Sequence, residues 1–140
     1  AFLAGMLHDI GKLVLAQSMP DPYAEVMRQT GNGYAATAEQ ELLLTTHADV
    51  GAYLLGLWGL TDAVVEAVAF HEHPGAAPTE ALGLPAIVHA ADRLARFPDQ
   101  ADPCSGQLRL DTRCLEQFNM SERWPIWQSA WARHLAGGEK

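Results

Sequence analysis

Only two cysteines occur in the chain, Cys104 and Cys114, with no C-x-x-C spacing and no matched Cys/His pairs. That excludes a disulfide framework and a zinc ribbon, and it fits a reducing cytosol. Basic residues are also scarce, with 9 Lys and Arg against 17 Asp and Glu, a formal charge of −8. The excess is uneven: residues 1–100 carry 4 basic and 12 acidic groups, whereas residues 101–140 carry 5 of each. Such a field repels a phosphate backbone, and no basic stripe offsets it, so a nucleic-acid grip is excluded. No charge-free apolar run reaches the roughly eighteen residues of a membrane span, and the start lacks the basic region of a signal peptide. No membrane association and a cytoplasmic location are therefore expected. Strand-like alternation of useful length and internal repeats are missing as well.

What remains is the punctuation of helices. The chain has 140 residues, 49% of them hydrophobic, enough for one core and a single all-α domain. The first helix is predicted from Ala1 towards Gln17, stopped by Pro20. A second opens at Asp21-Pro22 with Asp21 as N-cap and ends at Gly31-Asn32-Gly33. Thr37 and Gln40 read as a capping box for a third. Thr46 caps a fourth, closed by Gly59, and Thr61 caps a fifth, running through His73 to Pro74-Gly75. The sixth spans Leu84 to Phe97, residues 98–110 read as a loop, and Asp111 and Ser121 cap two last helices within 111–140. The chain starts without Met inside an apolar helical pattern, which suggests a piece of a longer protein.

Chemistry is concentrated in a few places. From Ala1 to Ala16 the only polar side chains are His8, Asp9 and Lys12. The fourth helix puts His47 on a stripe with Val50, Gly51, Leu54, Leu57 and Trp58, and the fifth aligns Val64, Ala67, Val68 and His71. In the sixth, Leu84, Val88, Ala91 and Ala95 form the core face, with Asp92 at its edge. Four helices thus aim ligand-type side chains at a common interior. An unpaired carboxylate there costs several kcal/mol, about what a divalent cation offsets. Imidazole with carboxylate suits Mn, Fe, Ni or Zn, and the carboxylates extend the choice to Mg. The ammonium of Lys12, one turn past His8, is placed to meet a phosphate oxygen. A bland arrangement fits the same residues: Asp9 pairing with Lys12 and His8 bonding a carbonyl. His73 suits a helix cap and His89 a bond to Asp92 or water. Tyr53, Leu57 and Trp58 are expected in the core. Trp124, Trp127 and Trp131 recur at helical spacing, which suits packing against the first helices or a partner or homodimer surface.

The stretches LLHDIGK, HADVGAYLL, FHEHP and VHAADRLA resemble the HD superfamily, and most closely its HDOD subgroup of output domains in bacterial signal transduction, including response regulators of two-component systems. The resemblance covers about residues 1–97 and, more weakly, LRLDTRCLEQF. It implies a compact multi-helix bundle with an HD-like core over 1–97. It implies a metal set of His8, Asp9 and Asp92, with His47 and His71 matching further ligands of the related HD-GYP phosphodiesterases and Lys12 their phosphate-contacting lysine. The upstream histidine of catalytic HD proteins would precede Ala1. The Asp-Gly-x-Gly-Tyr-Pro signature that follows the paired histidines is replaced here by Glu72-His73-Pro74-Gly75. The expected function is a regulatory output domain with a metal-binding but non-catalytic site, a protein partner in a signalling pathway, and a receiver or other input domain upstream in the parent chain. The alternative is a metal-dependent phosphohydrolase acting on a nucleotide or cyclic dinucleotide, with Asp9 and Lys12 as catalytic groups.

Overall fold

A computed structural model of the chain describes residues 1–31, 35–78, 83–96 and 122–137. Among these residues the architecture is entirely helical: α1 (Phe2–Leu7), α2 (Ile10–Ser18), α3 (Pro20–Thr30), α4 (Ala35–Leu43), α5 (His47–Leu57), α6 (Asp62–Ala69), a 3-10 turn (Pro74–Ala76), α7 (Leu84–Arg96) and α8 (Trp124–Gly137). The first seven helices form a bundle in which α2 packs on α5 and α3, α5 on α6, α3 on α4, and α1 and α7 on α6. No helix among the described residues is long and apolar enough to cross a membrane. The helix expected at Asp111 lies outside the described residues.

Local chemistry explains most boundaries. Thr46 accepts from the Asp49 N–H while the Asp49 side chain accepts from the Thr46 N–H, a reciprocal capping box that fixes the start of α5. Gly59 follows the end of α5 at φ 74°, a backbone conformation that glycine adopts without strain. α3 starts earlier than expected: Pro20, not Pro22, holds the first turn, and Met19 is the N-cap. The fixed φ of Pro20 is pre-set for a first helical turn, and its ring disfavours helical geometry at Met19. The capping box expected at Thr37 does not form, because α4 begins at Ala35 and Thr37 already lies inside it. α6 ends at Ala69, leaving His71, Glu72 and His73 in the connection to the 3-10 turn instead of on a helix.

The expected first helix is two. His8 Nδ1 donates to the Gly5 carbonyl at 2.7 Å, taking up the group that an unbroken helix offers to the Asp9 N–H. Asp9 then adopts φ −98°, ψ 6°, and the chain restarts as α2.

Among the described residues the core has three parts. One joins Leu15, Tyr23, Val26, Ala35 and Ala38. A second joins Ala4, Ala67 and Val88, and a third Ala52, Leu55 and Val68. α5 buries His47, Ala48, Gly51, Ala52 and Leu55, so its inward face is rotated from the expected stripe. Tyr53, Leu57 and Trp58 are 72%, 67% and 60% exposed, against the core placement that their size suggests. The reason is close approach: a Cβ on Gly11 would lie 1.9 Å from the His47 carbonyl oxygen, so α2 and α5 touch backbone to backbone. Only small residues fit that crossing, and the large ones are turned outward. α7 is rotated likewise. It buries Val88, His89, Asp92 and Arg93 and exposes Ala91 and Ala95.

Candidate functional site

The break after Leu7 places two consecutive side chains on one centre. Asp9 Oδ1 lies 3.5 Å from His8 Nε2, 3.5 Å from His47 Nε2 and 3.9 Å from His71 Nε2. His47 Nε2 and His71 Nε2 are 3.2 Å apart, and each is 3.8 Å from Glu72 Oε1. Asp92 Oδ1 stands 3.4 Å from His8 Nε2. The structure therefore brings His8, Asp9, His47, His71 and Asp92 together.

Each imidazole is held by its other nitrogen. His8 Nδ1 bonds the Gly5 carbonyl and His71 Nδ1 the Val68 carbonyl, both at 2.7 Å, and His47 Nδ1 bonds Glu39 Oε2 at 2.7 Å. In the tautomer that donates to these acceptors, every Nε2 carries a lone pair aimed at the common centre. Outer partners of this kind orient histidine ligands in metal sites. Two lone pairs facing at 3.2 Å repel unless a proton or cation lies between them. The buried atoms His8 Nε2 and Asp9 Oδ1 have no hydrogen-bond partner, which is costly in a protein interior. Two triads satisfy the spacing of a metal site: His8, Asp9 and His71, and His47, His71 and Glu72. Nitrogen-rich sets with one carboxylate fit a first-row divalent ion.

Four participants were not anticipated from the sequence. Glu39, fully buried on α4, accepts from both the His47 N–H, at 2.8 Å, and His47 Nδ1. Glu72 pairs with Arg93 Nη2 and turns its other oxygen towards the histidines. Arg96 Nε donates to both oxygens of Asp92, at 2.8 and 3.0 Å, and its Nη2 reaches Asp9 Oδ2 at 3.3 Å. The available signal for Arg93 and Arg96 was their position one and four residues after Asp92. Glu39 gave none beyond sitting in an apolar-periodic helix. Lys12 donates to Asp9 Oδ2 at 2.7 Å, so the bland pairing and the imidazole-facing role coexist on one carboxylate, each using its own oxygen. His89 bonds the His71 carbonyl at 2.6 Å. His73 is exposed.

Electrostatics follow the geometry. Burial lowers the pKa of His71 to about 4, with His47 and His8 adding to the effect against the Val68 carbonyl and Glu72. Burial also opposes charging of His8, but Asp92, Asp9 and the Gly5 carbonyl outweigh it and raise its pKa. Against their own desolvation, Asp9 is held low by Lys12, His8 and His47, and Asp92 well below the usual carboxylate range by His8 and Arg96. Glu72 is lowered, despite burial, chiefly by Arg93. Tyr23, buried near Glu39, is pushed up to about 12. Beside the cluster, a cleft of about 510 Å³ runs between α4, the start of α5 and the Phe70–Ala76 segment, with Glu72 on its wall.

A bundle that is all-helical among the described residues, and whose helices and turns gather three imidazoles and three carboxylates into one linked polar cluster, defines a helical histidine–aspartate domain. The HDOD domain model matches residues 1–74 of the 140. The chain belongs to the HDOD domain family. An uncharacterized protein of Treponema pallidum (strain Nichols) is 25% identical over 105 residues, 74% of this chain and 20% of that protein. The chain thus spans about a fifth of that relative's length. No solved structure matches.

Proposed function

We propose that the chain is a regulatory output domain of a cytoplasmic signalling protein, whose histidine–carboxylate cluster holds a divalent metal as a structural element and not as a catalytic centre. The observation that carries this reading is the grip of Arg96 on both oxygens of Asp92, the last carboxylate of the HD pattern. The Arg96 cation competes with a metal ion for this carboxylate's charge and takes part of its lone-pair capacity. The unpartnered His8 Nε2 and Asp9 Oδ1, with the facing lone pairs of His47 and His71, support metal occupancy by either triad. When bound, the ion supplies the positive charge that lets these atoms converge. The chain's own residues then fix the bundle: Glu39 orients His47, the Val68 carbonyl orients His71, and Lys12 neutralises the outer oxygen of Asp9. Output passes to a protein partner, with a receiver or other input domain upstream, an HD-like core over residues 1–97, a loop over 98–110, C-terminal helices over 111–140, and a homodimer as a further mode of assembly.

A second reading is favoured by one observation. The cluster opens to solvent on the side of Asp9, Lys12 and Arg96, whose side chains are 36%, 23% and 27% exposed. A phosphoester of a nucleotide or cyclic dinucleotide reaching that rim would meet Lys12, and the chain would be a metal-dependent phosphohydrolase. One experiment separates the two. The 140-residue chain is equilibrated with Mn, Fe, Ni, Zn or Mg, its metal content is measured by mass spectrometry, and hydrolysis of bis(p-nitrophenyl) phosphate and cyclic di-GMP is followed. The expected result is a bound transition metal without turnover, with stability raised by about 2.7 kcal/mol at a hundredfold excess over Kd. Turnover that disappears in Asp9→Ala establishes the second reading and overturns the first. A metal-free, folded protein refutes both.

A further inference from the structure

The two metal-competent triads share His71. Its Nδ1 is spent on the Val68 carbonyl, so Nε2 offers one lone pair and serves one ion. The triads are alternatives, and a second ion needs a ligand from outside them. Asp92 is the carboxylate within reach, 3.4 Å from His8 Nε2, but Arg96 engages both its oxygens and Arg93 Nη1 stands 3.6 Å from Oδ2. Arg96 also contacts Asp9 Oδ2, so one guanidinium bridges the two carboxylates of the HD pattern.

We infer that Arg96 is a resident cation occupying the position of a second metal ion, and that it limits this centre to one. The inference rests on the metal-holding role proposed above. Charge balance supports it. Asp9, Glu72 and Asp92 are met by Lys12, Arg93 and Arg96, and removing Arg96 leaves Asp92 only the longer contacts of Arg93 Nη1 and His8 Nε2, a shortfall that a divalent ion can satisfy. Geometry supports it too: Nε of Arg96 sits astride both oxygens of Asp92 while its Nη2 reaches Asp9, so one planar cation with several donors spans two carboxylates, as the point charge of a lysine would not. Arg96 acts through Asp92 and Asp9, which makes it a specificity-determining residue for metal number and not a catalytic one.

The test is Mn²⁺ binding to the 140-residue chain, wild type and Arg96→Gln, read as stoichiometry by calorimetry and as spin coupling by electron paramagnetic resonance. Wild type is expected to bind one ion with an uncoupled spectrum. Arg96→Gln is expected to gain a second site, raising the stoichiometry from one ion to two, with a coupled two-ion spectrum. Two coupled ions in wild type would overturn the inference without any variant, which guards against a substitution that fails to fold. One ion in a folded Arg96→Gln overturns it as well. No ion in wild type with one in Arg96→Gln removes metal from the proposed function yet upholds Arg96 as the occupant. No ion in either overturns both.

Discussion

The crossing of α2 and α5 makes the sharpest demand on the sequence, and Gly11→Ala tests it. The new Cβ would sit 1.9 Å from the His47 carbonyl oxygen and 2.8 Å from the Gly51 nitrogen, where ordinary contact begins at 3.4 Å. The helices must separate by about 1.5 Å, and neither obstacle is a flexible side chain that can swing away. Overpacking costs about 1–3 kcal/mol, and backbone on both sides puts this case at the upper end, near 3 kcal/mol. For a domain of this size that is a fall in Tm of about 10 °C. Because the displaced carbonyl belongs to His47, metal affinity should fall as well. Urea unfolding followed by far-UV circular dichroism measures the change, with an unaltered m-value as the check that the unfolding reaction is the same. Gly5→Ala is the control. An added Cβ there meets nothing within 4 Å, and replacing a helical glycine should stabilise the protein by up to about 1 kcal/mol. Opposite signs for the two substitutions are the expected outcome. A Gly11→Ala protein within about 0.5 kcal/mol of wild type would refute the backbone-contact account.

Glu39→Ala strands two buried donors on His47 and should cost about 3 kcal/mol, whereas Glu39→Gln keeps an acceptor and should cost less than half of that. Equal losses in urea titrations would show that the carboxyl group fills space and does not orient the ring. Acid sensitivity carries a separate signature. The unfolded chain protonates His71 near pH 6.5 but the folded chain only near 4, so stability falls across that window by at most about 1.4 kcal/mol per pH unit. The raised pKa of His8 works the other way, contributing stability that is complete below 6.5 and lost as pH rises through its folded value. The depressed Asp9, Glu72 and Asp92 contribute stability above their unfolded values that is lost as pH falls through their folded ones, so a further, steeper loss follows in stronger acid. His71→Asn should flatten the decline between 6.5 and 4 relative to wild type. An unchanged slope would show that another group sets it.

Much of the bundle was legible because its signals are local. Thr46 with Asp49, Gly59, and Gly31 at the end of α3 punctuate helices through short-range hydrogen bonds and backbone freedom. The helix break after Leu7 was not legible, because it depends on a side chain, His8, competing for a carbonyl inside an otherwise helix-favouring run. The faces of α5 and α7 were misjudged for another reason. Periodicity identifies an apolar stripe but not whether bulk or close approach decides which stripe turns inward, and at Gly11 and Gly51 close approach decides. Within the site, the histidines and aspartates stood out as polar groups in apolar surroundings. Glu39, Glu72, Arg93 and Arg96 did not, since pairings such as Arg96 with Asp9, 87 positions apart, exist only after folding.

The joint at His8 and Asp9 links α1 to the rest of the molecule through the same two residues that supply the cluster's first imidazole and carboxylate. Any tilt of α1 against α6 and α7 therefore turns these side chains directly, without passing through a compliant linker. Whatever grips that short rod holds a lever whose fulcrum is the polar centre itself.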